Sequence, residues 1–140
     1  MRVLIRADAS MTIGSGLTLD QDFGTIDAIA GSLIVDGGTH NWAAGTMQGT
    51  TGDVLYQNGA TLDLTGTATK SIDGSGGFGV TITGAGTTAT LTNTSSGFQF
   101  SNNAQVTVET DAVMELADNA DVGHSSSDGT LTIGNLGTLH

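Results

Sequence analysis

Residues 59–64, Gly-Ala-Thr-Leu-Asp-Leu, decide the fold of this chain, because the same unit returns in altered form further along it. A turn-forming residue opens the unit, and two aliphatic side chains then alternate with a polar one. The altered copies are residues 103–108 (Asn-Ala-Gln-Val-Thr-Val), 111–116 (Asp-Ala-Val-Met-Glu-Leu) and 129–133 (Gly-Thr-Leu-Thr-Ile). Alternation places one row of side chains inward and the other outward, so each unit predicts a corner followed by a short β-strand.

Short alternating triplets of this kind continue along the chain, while patterns typical of helices are almost absent. They include Leu17-Thr18-Leu19, Leu33-Ile34-Val35, Val54-Leu55-Tyr56, Val80-Thr81-Ile82 and Phe98-Gln99-Phe100. Predicted corners lie at Gly37-Gly38, Asn58-Gly59, Gly76-Gly77, Asn102-Asn103 and Asp128-Gly129. Gly, Asn and Asp suit these corners because they accept the positive φ of tight turns.

The spacing of the strands predicts how they associate. Successive inward residues are separated by 18, 18, 16 and 17 positions, in the series Leu64, Ile82, Phe100, Leu116 and Ile133. A period near 17 predicts an all-β fold, a parallel β-solenoid of seven or eight stacked rungs that occupies residues 1–140 as one domain. Hairpins use the same turn dipeptides, so an antiparallel β-sandwich is the alternative.

Two stretches resemble known families. Residues 31–50 (GSLIVDGGTHNWAAGTMQGT), with residues 59–66 (GATLDLTG), resemble the rungs of bacterial adhesins, of autotransporter passengers and of the β-helices in phage tail spikes. This resemblance in rhythm and composition covers roughly residues 10–135 and implies a parallel β-solenoid.

Residues 1–16 (MRVLIRADASMTIGSG) resemble the opening strand and Gly-rich loop of nucleotide-sugar hydrolases of the pseudaminic-acid pathway. In that family a catalytic His and a helix follow, whereas Leu-Thr-Leu-Asp-Gln follows here. No catalytic residue is carried over, and we interpret this match as coincidental.

Charge excludes several classes of partner. The formal net charge is −11, with 14 acidic residues against Arg2, Arg6 and Lys70. Such a surface repels phosphate, so we expect no nucleic-acid binding and no association with anionic membranes. The N-terminal apolar run is too short for a signal peptide, and no stretch has the length of a membrane span. The chain has no Cys and therefore no thiol chemistry.

The sequence shows no pattern typical of an active site, which indicates a protein that is not an enzyme and that needs no cofactor. The carboxylate pairs considered are Asp20 with Asp22, Asp53 with Asp63, and Asp118 with Asp121. We interpret each as a corner residue that bonds its own backbone. His40, His124 and His140 lie far apart and are interpreted as surface or corner residues, and neither a calcium-loop nor a zinc pattern occurs.

The remaining side chains of interest are aromatic or hydroxylated. Trp42 is either an exposed platform for a sugar ring, which would allow glycan binding, or a buried rung residue. Phe98 and Phe100 are expected to fill the core. Thr-x-Thr pairs such as Thr81/Thr83 and Thr130/Thr132 are interpreted as outward residues of strands rather than as an ice-binding lattice.

The N-terminal strand predicts an interaction surface. Arg2 and Arg6 flank it on an otherwise acidic chain, so we expect this end to dock on a partner or on other copies, with a homotrimer as one form. The sequence favours a structural component of a phage virion surface, either a capsid decoration or a fibre. The alternatives are a segment of a secreted adhesin at the cell surface, and a β-helix that binds or cleaves carbohydrate.

Overall fold

The computed structural model describes residues 2–7, 9–75, 77–91, 97–109, 111–116, 122–124, 130–133 and 138–139. Every regular element among them is a β-strand. The strands are β1 (Arg2–Ile5), β2 (Ser10–Gly14), β3 (Thr18–Gln21), β4 (Thr25–Ala28), β5 (Ser32–Asp36), β6 (Thr39–Trp42), β7 (Gly45–Gly49), β8 (Asp53–Gln57), β9 (Thr61–Leu64), β10 (Lys70–Asp73), β11 (Gly79–Ile82), β12 (Thr88–Leu91), β13 (Phe98–Ser101), β14 (Gln105–Val108), β15 (Val113–Leu116), β16 (Val122–His124), β17 (Thr130–Ile133) and β18 (Thr138–Leu139).

The strands form three six-stranded sheets around one core, and each strand pairs with the strand three places further along the chain. Face A is β1-β4-β7-β10-β13-β16, face B is β2-β5-β8-β11-β14-β17 and face C is β3-β6-β9-β12-β15-β18. The pairing is parallel throughout these sheets, as between Leu33 and Val54 or between Thr88 and Val113. The predicted parallel β-solenoid is therefore confirmed, and the antiparallel sandwich is excluded.

The predicted period of about 17 residues is wrong. Ser32 pairs with Asp53, 21 positions on, and Lys70 pairs with Phe98, 28 positions on, so a full turn is longer. Leu64, Ile82 and Phe100 lie on β9, β11 and β13, which belong to three different faces. Each sequence interval therefore spanned two strands, or two thirds of a turn. From β1 to β16, the described residues make about 5 turns instead of the predicted seven or eight.

Corners between faces use residues with positive φ, as predicted. Asn58 and Gly59 have φ values of 55° and 80°, and Asn102 and Asn103 have 52° and 61°. The amide of Ala60 donates to the carbonyl of Gln57 across the first of these corners, at 3.1 Å. Gly37 is also positive, with φ 70°. Residues 76 and 128–129, from the other two predicted corners, lie outside the described residues.

Alternation within the strands builds the core. Leu62 and Leu64 are buried while Asp63 between them faces outward, and the same holds for most triplets that the sequence singled out. Phe98 and Phe100 are buried with their rings edge to face at 4.8 Å, so their predicted core position is confirmed. Leu17 is the exception, since it lies at a corner with 58% of its surface exposed.

Candidate functional surfaces

Trp42 is buried and is not a platform for a sugar ring. Its exposed fraction is 0%, its Nε1 donates to the carbonyl oxygen of Ala44 at 3.1 Å, and its ring meets Phe98 edge to face. As an inward residue at the end of β6 it fills the core at the corner between faces C and A. The interaction role for Trp42 is thereby corrected to the buried alternative.

His40 is also buried, which corrects its interpretation as a surface or corner residue. It pairs in register with Leu19 and Leu62 in an inward row of face C, and its exposed fraction is 0%. Its Nδ1 lies 2.7 Å from the hydroxyl of Tyr56, and the two rings are stacked. Burial lowers the pKa of His40 to about 4, although the charge of Asp20 opposes the shift. The side chain of His124 and the whole of His140 lie outside the described residues.

Among the described residues, Lys70 is the one Lys or Arg side chain that the fold buries. It occupies an inward position on β10, and its Nζ donates to the carbonyl oxygens of Gly66 and Ala68 at 3.2 and 2.9 Å. Burial lowers the pKa of this amine. Lys70 lies two positions before the apolar Ile72, so alternation indicated an inward position. The sequence analysis missed it because a Lys side chain normally faces solvent.

The first coil, residues 2–23, has strand edges that no described strand covers. Each of β1, β2 and β3 pairs on one side only, with β4, β5 and β6 respectively. Phe23 and Leu17 at its corners expose 64% and 58% of their surfaces. The inward side chains Val3, Met11 and Leu19 are only partly buried. The exposed apolar side chains of the first coil were not recognised in the sequence, where Leu17 was assigned to an inward row.

The structure separates the two arginines of this coil. Arg2 forms an ion pair with Asp27 on the neighbouring strand β4. Arg6 is exposed at the end of β1, and no ion pair with it occurs among the described residues. Arg6 therefore remains the cation that is available to a partner, whereas Arg2 also organises the surface of face A.

Of the carboxylate pairs that the sequence analysis considered, the structure separates Asp53 from Asp63. Asp53 lies on face B and Asp63 on face C, so they cannot act together. Asp20, like Asp53 and Asp63, lies within a strand, so the corner interpretation is wrong for all three. Asp22 does lie in a corner. Asp118 and Asp121 are outside the described residues.

Register instead produces two rows in which an amide separates two carboxylates. On face C, Asn41 lies between Asp20 and Asp63 and donates its Nδ2 to Asp20 Oδ1 at 2.7 Å. On face A, Gln48 holds the same position, and that row is Asp27, Gln48 and Asp73. The amide keeps two like charges two strand spacings apart, about 10 Å.

Threonines form an outward row beside the first of these. Thr18, Thr39, Thr61 and Thr88 pair successively in register on face C. The adjacent outward row carries charge and amide groups, so the two rows do not make a lattice of Thr-x-Thr. The outward position predicted for such threonines is confirmed at Thr81, which alternates with two buried residues on β11.

The row on face A lines a cleft of about 270 Å³. Six of the residues that line it are Arg2, Asp27, Ile29, Gln48, Asp73 and Ser75. Asp27 is only 3% exposed, and its Oδ2 accepts hydrogen bonds from Arg2 and from Gln48 Nε2. The cleft thus combines a fixed carboxylate with an amide, a second carboxylate and an apolar rim.

The side chain of Asp73 is fixed by hydrogen bonds from Ser75, in the turn that follows β10, and from Asn102. Its Oδ1 accepts hydrogen bonds from the amide of Ser75 at 3.2 Å, from Ser75 Oγ at 2.7 Å and from Asn102 Nδ2 at 2.9 Å. Burial raises the pKa of Asp73, but the hydrogen bonds from Asn102 and Ser75 outweigh it and leave the pKa below its usual value. Asp73 is therefore an anion near neutral pH and cannot donate a proton.

The described residues contain no group of three or more His, Asp or Glu side chains placed to hold a metal ion. No helix among them has the length and apolarity to cross a membrane. Neither a family model, nor a curated protein, nor a solved structure matches this chain.

Proposed function

We propose that the protein is a non-enzymatic structural component of a phage virion surface, a capsid decoration or fibre built as a homo-oligomeric β-solenoid. The observation that carries this proposal is the first coil, whose three strand edges no described strand covers and whose corners expose Leu17 and Phe23. Natural solenoids close such ends with polar caps or with partners. The first coil has no polar cap among the described residues.

A second copy of the chain is the partner that suits this end. An uncovered strand edge presents alternating N–H and C=O groups, and a strand edge of another copy supplies the complementary groups. Leu17 and Phe23 add apolar surface that association removes from water. Arg6 adds a positive charge that an acidic chain with net charge −11 attracts.

The outward faces support a structural role. Their strands carry mainly Thr, Ser, Asn, Gln and Asp, and several of these hydrogen-bond from one coil to the next, as Gln57 Nε2 does to Asp36 Oδ1 at 3.3 Å. Such bonds tie neighbouring coils together along the axis. A ladder of parallel strands with a polar, acidic exterior suits a rigid surface element.

The test of assembly is the mass of the intact chain in solution. We expect the wild type to be an oligomer by light scattering, and the double variant Leu17→Asp with Phe23→Asp to be a monomer with an unchanged circular dichroism spectrum. Thr107→Asp, an outward residue of face B far from the first coil, should leave the oligomer intact. A monomeric wild type, or a double variant that keeps the wild-type mass, would contradict the proposal.

The virion itself gives the second test. Immunogold labelling and mass spectrometry of purified particles should find the chain on their surface in a regular arrangement. Its absence from the particles would contradict a virion role.

A segment of a secreted adhesin is the second candidate function, because adhesin passengers resemble this chain in rhythm and are also built of short parallel coils. Neighbouring genes separate the two functions: capsid genes favour a virion component, while a signal peptide with an outer-membrane translocator favours an adhesin.

A further inference from the structure

We propose that the cleft on face A binds a neutral carbohydrate, of one or two sugar rings, through Asp27, Gln48 and Asp73. The cleft measures about 270 Å³, just below the range of about 300–1,000 Å³ that is typical of sites for drug-sized molecules. Its position on face A is separate from the apolar corners of the first coil, so binding there goes beyond the structural role.

The polar groups of the cleft are acceptors suited to hydroxyl donors. Arg2 and Gln48 both bond to Oδ2 of Asp27, and no described residue donates to its Oδ1. Similarly, the hydrogen bonds that Asp73 accepts from Ser75 and Asn102 go to its Oδ1, and none of the described residues donates to its Oδ2. Neighbouring hydroxyl groups of a sugar are donors that match such carboxylate oxygens.

The same hydrogen bonds make the site rigid before a ligand arrives. Asp27 is almost fully buried and is fixed from two sides, while Asp73 is fixed by Ser75 and Asn102. Parallel pairing of β4, β7 and β10 sets the spacing of the row. Groups that are already in place lose little conformational entropy on binding.

The rim adds an apolar contact and decides the charge of the ligand. Ile29 is partly exposed beside the cleft, where it offers an apolar surface to the C–H groups of a sugar ring. Asp27 and Asp73 together outweigh Arg2 by one negative charge, so an anionic sugar is repelled. A divalent cation is disfavoured because only two carboxylates line the cleft.

The test is saturation-transfer difference NMR on the intact chain with glucose, galactose, mannose, N-acetylglucosamine and, as the anionic probe, N-acetylneuraminic acid. We expect transfer to at least one neutral sugar. Asp73→Asn keeps an oxygen for the bonds from Ser75 and Asn102 but replaces Oδ2 with a donor, and it should weaken binding at least tenfold. Asp36→Asn, the same change on face B, should leave binding unchanged.

Three results would overturn the assignment. They are no transfer to any neutral sugar, strongest transfer to N-acetylneuraminic acid, and an Asp73→Asn variant that binds as well as the wild type. Sugar binding that requires added CaCl₂ would also overturn it, since a cation would then hold the ligand. The Asp73→Asn variant leaves the first coil intact, so loss of sugar binding with an unchanged oligomer separates this site from assembly.

Discussion

The buried imidazole of His40 shows how an inward position changes the chemistry of a single residue. Its Nε2 has no hydrogen-bond partner among the described residues, and its Nδ1 meets the hydroxyl of Tyr56. A protonated ring would be a buried charge without hydration. Burial therefore disfavours the charged form and lowers the pKa to about 4. The residue is therefore neutral in the folded protein at ordinary pH.

Stability is expected to fall in mild acid because of His40. The unfolded chain titrates near the ordinary value of 6.5 and the folded chain near 4, so the unfolded state binds more protons between these values. The contribution is complete above about pH 6.5 and is lost as the pH drops toward 4, by up to about 3 kcal/mol. Urea unfolding at pH 7 and pH 4.5 measures it. His40→Leu, which matches its neighbours in the row, should flatten this dependence, and an equally steep fall in the variant would refute the assignment.

At the scale of the strand, neutral amide side chains allow coils with acidic outward faces to pair with one another. Asn41 and Gln48 each lie between two carboxylates, one on the coil before and one on the coil after, and each donates a hydrogen bond to one of them. Like charges directly opposite on neighbouring strands destabilise a sheet. The amide both separates the carboxylates and bonds to one.

Asn41→Asp should therefore destabilise the protein. It removes the bond to Asp20 and places three carboxylates in one row, for a loss of about 1 kcal/mol at low salt. The loss should shrink in 1 M NaCl because salt screens exposed charges. Thermal unfolding at low and high salt measures both effects. Thr107→Asp, whose neighbours in register are Thr81 and Thr132, is the matched control and should change little; equal losses in the two variants would count against the row.

The backbones of corners in neighbouring coils approach closely, and this gives a second prediction at the scale of the strand. A Cβ added at Gly74 would lie 2.2 Å from the Cα of Ala104 in the next coil, whereas one at Gly79 would meet nothing nearer than 3.6 Å. Gly74→Ala should lower the free energy of unfolding by about 1–3 kcal/mol. Gly79→Ala should stay within about 0.5 kcal/mol of the wild type. Denaturant unfolding compares them, and similar values would show that the corners yield easily.

The same elements explain what the sequence could reveal. Alternation in the triplets identified most strands and their inward residues, because a period of two can be read from a few consecutive residues. It could not assign a strand to a face, since Leu64, Ile82 and Phe100 look alike whether they lie one above another or on three faces. The connections between strands also vary in length, from two residues between β6 and β7 to six between β12 and β13, and this variation obscures the true period.

At the scale of the whole molecule, the cleft on face A arises from the register of paired strands and not from a sequence motif. Asp27 and Asp73 are far apart in the sequence, and only the pairing of β4, β7 and β10 brings them to one cleft. The first coil was predicted as an interaction surface from Arg2 and Arg6, and that role stays a prediction. Its apolar part was missed because an exposed Phe23 or Leu17 looks in sequence like any core residue.

Each coil of the solenoid rests only on the coil before and the coil after it. Evolution can therefore change the reach of the protein by inserting or deleting one unit of 21 to 28 residues, as measured between paired Ser32 and Asp53 and between Lys70 and Phe98. Each such unit alters the height by about 4.8 Å, one strand spacing. Inserting or deleting such a unit would therefore change the length of the column in fixed steps and leave the chemistry of the first coil unchanged.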